Sequence, residues 1–260
     1  MFGWDGKIKM APRTLSVATG QPGHGKTLFF GQVFYQIVHT YNLCACIASF
    51  ETRPKPYLRK QLRQLHAGIH ESEMDAEEIK AADNFIDEHY LFLVHPDRQP
   101  NLAWLLDTAE VAVVRHGAKI FQIDPWNRLE SARDAKEMET EHIGKCLREL
   151  YNFAVDLDCH VQIIAHPAKM EGTRRKHPPE LEDISGSKAW DAMSDQGFTV
   201  HRPKVWERGK RCTEADVYHR KARYDELGYQ CKLSVKYVPS EGRYKIDDKQ
   251  EKEGTSDKDD

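Results

Sequence analysis

No apolar run in this sequence approaches the roughly 20 residues a membrane-spanning helix requires. The first residues, Met1-Phe-Gly-Trp-Asp-Gly6, also lack the basic-then-apolar layout of a secretory signal. Both absences predict a cytoplasmic chain with no membrane partner. No charge of either sign dominates: 38 Lys+Arg stand against 41 Asp+Glu, a net charge of −3. Residues 247–260 alone hold seven acids and three lysines, which leaves the rest of the chain near neutrality. A protein that coats a polyanion over its whole surface is excluded. There is no CxxC pair among the six cysteines, and a disulfide scaffold does not suit a chain of 260 residues, so reduced and mostly buried thiols are expected. No internal repeat is present.

The chain does have the length for a substantial core, and its apolar segments alternate in type. Residues 13–19 (RTLSVAT) read as a short strand, broken at Gly20 by a Gly/Pro-rich loop. Residues 26–41 then carry aromatic and aliphatic side chains at helical spacing. Residues 43–50 (LCACIASF) form a nearly continuous apolar run, the pattern of a strand covered on both faces of a parallel sheet. Helices are expected over 56–69, 74–90, 101–116 and 134–157. Strands are expected at 91–94, at 119–124 (KIFQID) and at 159–165 (CHVQIIA). This alternation predicts an α/β domain with right-handed crossovers. Residues 167–183 turn to Lys, Arg, Glu and Pro and read as a long loop. Shorter alternating segments at 197–201, 216–223 and 230–237 read as antiparallel strands at the C-terminal edge. One domain over 1–246 and a disordered acidic tail over 247–260 complete the layout.

Gly20-Gln-Pro-Gly-His-Gly-Lys-Thr27 matches the phosphate-binding pattern GxxxxGK[ST] and lies between a strand and a helix. Gly20, Gly23 and Gly25 let backbone N–H groups turn toward a β-phosphate. Lys26 reaches the β/γ oxygens, and the Thr27 hydroxyl suits Mg²⁺. Asp124 closes a strand where an acid holding the Mg²⁺ shell belongs. Glu51 closes another, and a carboxylate there can orient and deprotonate a water in line with the γ-phosphate. His166 ends a further strand. Lys26/Thr27, Glu51, Asp124 and His166 should therefore meet at the carboxyl edge of the sheet, where open α/β sheets bind ligands.

From these residues onward the sequence resembles the RecA-like motor domain of DnaB-type replicative helicases, in the branch that includes Twinkle and the phage primase-helicases. The resemblance covers about residues 12–245. It rests on the P-loop, on Ala48-Ser-Phe-Glu51, on Ile123-Asp-Pro-Trp-Asn127, on Ala165-His-Pro-Ala-Lys169, and on Asp183-Ile-Ser-Gly-Ser187 with Trp190 and Val200-His-Arg202. It implies a RecA-like P-loop NTPase fold, ATP and Mg²⁺ as ligands, Glu51 as catalytic carboxylate, Asp124 as metal acid and His166 as γ-phosphate sensor. Lys221-Ala-Arg223 resembles the family's K-x-R element, whose arginine finger and lysine reach the nucleotide of a neighbouring subunit. Single-stranded DNA would be held by loops at 126–136 and 167–188, the second carrying Arg174, Arg175 and Lys176.

A hexameric ring, 5′ to 3′ translocation and a priming partner follow from the same resemblance, in a cytoplasm that could be that of a phage host. Only 19 residues precede Gly20, so a ring weakened by the missing linker helix is expected, as an excised motor or a stand-alone relative. Two other readings stay open on residues alone. A RecA-like recombinase or loader would use ATP to switch a filament on single-stranded DNA, and a P-loop kinase would act on a small molecule. His66 and His70, one helical turn apart, lack a third ligand at fixed spacing for a metal. The bases of 202–211 suit either a hairpin loop or a second nucleic-acid patch.

Overall fold

The strands at the centre of this chain are buried on both faces because helices cover both. The computed structural model describes residues 7–95, 100–129, 137–169, 177–185, 188–207 and 210–246. In chain order, β1 (Thr14–Thr19) leads to α1 (Lys26–Tyr41) and β2 (Cys44–Ser49). Next come α2 (Arg59–Ala67), α3 (Ala76–His89), β3 (Tyr90–Leu93), α4 (Leu102–His116) and β4 (Ala118–Asp124). After them come α5 (Glu139–Asp156), β5 (His160–Ile164), the short α6 (Ala189–Met193) and β6 (Gln196–His201). The chain then forms a small hairpin, β7 (Trp206–Glu207) with β8 (Lys210–Arg211), before β9 (Glu214–Ala222), β10 (Cys231–Val238) and β11 (Arg243–Ile246).

Nine strands make one sheet in the order β11-β10-β9-β6-β1-β5-β4-β2-β3. The pairs β2–β3, β2–β4, β4–β5, β1–β5 and β1–β6 are parallel. From β6 outward through β9, β10 and β11 the pairs are antiparallel. Alternate strand residues divide between two cores. Ala18, Ala45, Ile47 and Ile164 pack with Phe30 and Phe34 of α1, Leu62 of α2 and Ile86 of α3. Val17, Cys46, Phe121 and Ile163 pack with Leu105 of α4, Leu147 and Leu150 of α5, and Trp190 of α6. Truncating a fully buried leucine such as Leu147 to alanine costs about 2–5 kcal/mol at sites of this kind.

Local chemistry sets the element ends. The Asp75 carboxylate accepts the N–H groups of Glu77 and Glu78 while Glu78 returns to the Asp75 N–H, a reciprocal cap that starts α3 at Ala76. Helix α5 begins at Glu139, later than the expected 134, and Glu137 instead turns its carboxylate to Lys145 at 2.6 Å and His142 at 3.1 Å. Helix α2 begins at Arg59 because the segment before it is irregular, with Lys55 extended between two prolines. All six cysteines are free thiols. Among the described residues no helix is long and apolar enough to cross a membrane, and no group of three or more His, Cys, Asp or Glu could hold a metal ion. The tail over 247–260 lies outside the described residues.

The hairpin reading of 202–211 holds for its second half, where Trp206 pairs with Arg211 and Glu207 with Lys210. Arg202 does not belong to that surface. It is buried at 7 % exposure, and its backbone N–H donates to His24 Nδ1 of the glycine loop at 3.0 Å.

Candidate active site

Strand β1 is buried along its whole length and delivers the chain at Gly20 into a loop that only glycine can follow at two points. Gly20 has φ 149°, and a Cβ there would collide with the Val200 carbonyl of β6. Gly25, the residue before α1, has φ 91° and ψ 19°, and a Cβ there would meet the Tyr244 hydroxyl. The loop is thus pressed against β6 and β11 with its backbone free to turn toward a ligand.

The carboxyl ends of β1, β2, β4 and β5 meet around one cavity of about 580 Å³. Gly23, Gly25, Lys26, Thr27, Glu51, Asp124 and His166 all line it. The Lys26 ammonium donates to the carbonyls of Gly20 at 2.6 Å and Gln21 at 3.2 Å, a cradle in which phosphate oxygens could replace carbonyl oxygens. Burial lowers its pKa to about 8 against the pull of the Asp124 and Glu51 carboxylates. Asp124 is 4 % exposed. Burial raises its carboxyl to about pH 6, although a hydrogen bond from Thr27 and the charge of Lys26 both favour the carboxylate. Its Oδ2 has no hydrogen-bond partner among the described residues. An orphaned carboxylate oxygen beside a threonine hydroxyl is the oxygen donor set that suits a small hard cation such as Mg²⁺.

Glu51 and His166 face each other, Oε2 to Nε2, across 3.5 Å. Burial, and after it the charge of Lys26, lowers the imidazole pKa, while Glu51 opposes the shift. The backbone N–H of His166 donates to Asn127 Oδ1 at 2.7 Å, and that of Phe50 to the Asp124 carbonyl at 2.8 Å. These bonds fix three strand ends relative to one another. Each carboxylate thereby has a separate environment: Asp124 sealed against Lys26 and Thr27, Glu51 half-exposed toward His166.

Three lining residues were given no role at this cavity by the sequence analysis. Arg202 is buried with its Nε unpartnered among the described residues. Tyr237 and Tyr244 stand as register partners on β10 and β11 with rings 5.4 Å apart. Alternation marked Tyr237 only as part of an edge strand, and β11 carried no signal of its own. It is secured by two hydrogen bonds between Gln32 and the Tyr244 backbone, at 2.9 and 2.6 Å.

Lys221 and Arg223 are not part of this cavity. Lys221 pairs with Gly197, at the amino end of β6, whereas the cavity lies beyond the carboxyl end near His201. Five residue steps along the strand separate Gln196 from His201, about 16 Å. The two candidate halves occupy opposite edges of one sheet. Arg174, Arg175 and Lys176 lie outside the described residues.

A profile of the DnaB-like helicase C terminal domain matches residues 8–244. The chain belongs to the DnaB-like helicase C-terminal domain family. The Twinkle homolog protein, chloroplastic/mitochondrial, of Arabidopsis thaliana is 29 % identical over 212 residues. That alignment takes in 77 % of this chain and 30 % of the relative, so the chain spans less than a third of that relative's length. A solved ATPase domain superposes with a TM-score of 0.74 at 18 % identity, covering 93 % of this chain and 92 % of that one. A DnaB-like replicative helicase solved with its interactions with primase superposes at 0.71 and 18 % identity, covering 91 % and 59 %. The RecA-like fold expected from the sequence is therefore the fold of DnaB-like helicase ATPase domains, with the antiparallel C-terminal edge in place. In this family member the glycine loop, the strand-end acids and the histidine line one cavity.

Proposed function

We propose that the chain is the ATP-hydrolysing motor of a replicative helicase that translocates on single-stranded DNA, 5′ to 3′ as the family resemblance implies. The observation that carries this reading is the convergence of Lys26, Thr27, Asp124, Glu51 and His166 from four strand ends on one cavity. The glycine-loop N–H groups and Lys26 bind the β- and γ-phosphates. Thr27 and Asp124 would hold Mg²⁺, which neutralises phosphate charge when bound. Glu51, half-exposed, orients a water and takes its proton as the oxygen attacks phosphorus in line with the leaving ADP. His166 hydrogen-bonds the γ-phosphate and registers its departure.

Arg223, with Lys221, acts on the nucleotide of the next subunit, where a guanidinium stabilises the charge developing on the transferred group. Its distance from the chain's own cavity supports an assignment in trans. That assignment makes a ring, a hexamer by resemblance, the active species. Single-stranded DNA is held by Arg174, Arg175 and Lys176 through its phosphates, so binding is sequence-tolerant and salt-sensitive. A primase or priming domain is the expected partner.

The test is ATP hydrolysis per protomer across about a hundredfold range of protein concentration, with and without single-stranded DNA. Specific activity that climbs with both supports the reading. Activity that is flat and indifferent to DNA would sink it in favour of a site completed within one chain.

A further inference from the structure

Asp195, the residue before β6, is a carboxylate at 1 % exposure that the nucleotide cavity does not use. Its surroundings are specific. The Leu15 N–H donates to Oδ2 at 2.9 Å, and the Asp195 N–H donates back to the Leu15 carbonyl at 2.8 Å. The Arg223 N–H donates to the Asp195 carbonyl at 2.8 Å. Oδ1 accepts no hydrogen bond among the described residues and faces Arg223 Nη1 at 3.2 Å. The other guanidinium nitrogen, Nη2, donates to the Ala192 carbonyl at 2.6 Å. Beside it, the Lys221 ammonium donates to the Asp191 carbonyl.

Arg223 is thus gripped at its backbone and at two guanidinium nitrogens, while a third of its side chain stays exposed. An arginine in solution spreads over many rotamers, and ordering it at the moment of use would subtract from any stabilisation it offers. A buried carboxylate that is also hydrogen-bonded to the main chain cannot follow the guanidinium outward, so it defines where that group rests. Burial raises the Asp195 pKa in spite of the Leu15 N–H, Arg223 and Lys221, so holding a carboxylate here costs free energy that an amide would avoid. Leu15 belongs to β1, whose opposite end enters the glycine loop. The same carboxylate therefore fastens Arg223 to the strand that carries the chain's own phosphate site.

We propose that Asp195 is the positioning residue of Arg223, holding the guanidinium at a preset place on the amino edge so that it meets the neighbouring subunit's nucleotide already ordered. This rests on Arg223 acting in trans, and the experiment separates the two claims. Full-length variants are mixed in pairs and phosphate release is measured, with nucleotide affinity read separately from a fluorescent ATP analogue. Lys26→Ala retains a finger but has no working site, and Arg223→Ala retains a site but has no finger. Their mixture should recover activity.

Placing Asp195→Asn in the Lys26→Ala partner, the finger donor, should cut the recovered kcat by about tenfold to a hundredfold. Placing it in the Arg223→Ala partner, whose finger is already absent, should leave kcat and nucleotide affinity unchanged. A general folding defect would harm both mixtures alike. Asp195→Ser replaces the asparagine variant if that one does not fold. Equal recovery with either placement would overturn the role of Asp195 and leave the finger standing. Full turnover by Arg223→Ala alone, or no recovery in the first mixture, would overturn the trans reading and this inference with it.

Discussion

At the carboxyl end of β1 buried polar atoms without partners adjoin an open cavity, whereas at its amino end the charged groups of Asp195 and Arg223 face each other within the chain. Asp124 Oδ2 and His166 Nδ1 are buried without hydrogen-bond partners among the described residues, and Lys26 leans on loop carbonyls. At the other end, Asp195 faces Arg223, and backbone carbonyls of Asp191 and Ala192 receive Lys221 and Arg223. Buried polar groups left unmatched are costly unless something else completes them. The carboxyl end, whose unpartnered Asp124 and His166 line a cavity, is therefore where a ligand belongs. The amino end stores a side chain in a defined place. On the proposed function, one sheet would present a receptor at one edge and a tool at the other, the arrangement a head-to-tail ring of identical subunits requires.

That comparison can be broken most severely at the receptor. Lys26→Ala should reduce phosphate release to background, and any turnover above that level would remove the P-loop from the chemistry. At the tool end, Arg223→Ala should lower turnover about a thousandfold in the assembled protein, the scale of a finger supplied in trans. Nucleotide affinity of the same variant should hold within about twofold, because a finger that acts on charge developing in the transition state adds little to ground-state binding. Glu51→Gln should lower turnover about a hundredfold with nucleotide still bound, since only proton transfer is lost. Unaltered turnover would strip Glu51 of its role.

The smallest effect sharpens the contrast through stability. Asp124 titrates near pH 6 in the folded chain against an ordinary 3.8. Between those values the folded chain keeps a proton that the unfolded chain has released, so stability falls as pH rises through that window. Asp124→Asn should therefore stabilise the nucleotide-free protein above pH 6 by up to about 3 kcal/mol, raising Tm by several degrees, while abolishing Mg²⁺-dependent binding. A lower Tm in that variant at about pH 7.5 would show that its pairing with Lys26 outweighs its burial.

Much of this was legible in one dimension. The glycine loop announces itself because close backbone approach to phosphate demands particular residues at particular spacing. Asp124, Glu51 and His166 could be found because each ends an apolar run, and parallel strands bring such ends to one edge. The places of Arg202 and Tyr244 in the cavity were hidden. Arg202 reads both as the end of Val200-His-Arg202 and as one base among several in a polar stretch, and only its burial and the hydrogen bond to His24 reveal that it turns inward. Tyr244 enters the cavity because β11 is clasped to α1 through Gln32, a pairing across more than two hundred residues that no local pattern encodes.

Local chemistry by itself determined the central strands, the main helices, the glycine loop and the set of strand-end acids, because short-range sterics and side-chain periodicity dictate each of them. Tertiary structure alone decided the placement of Lys221 and Arg223 on the far edge and their fastening to Asp195. The reason is geometric: β9 runs antiparallel to β6, so each step along it toward Arg223 moves away from the phosphate site, and strand direction is a property of the assembled sheet.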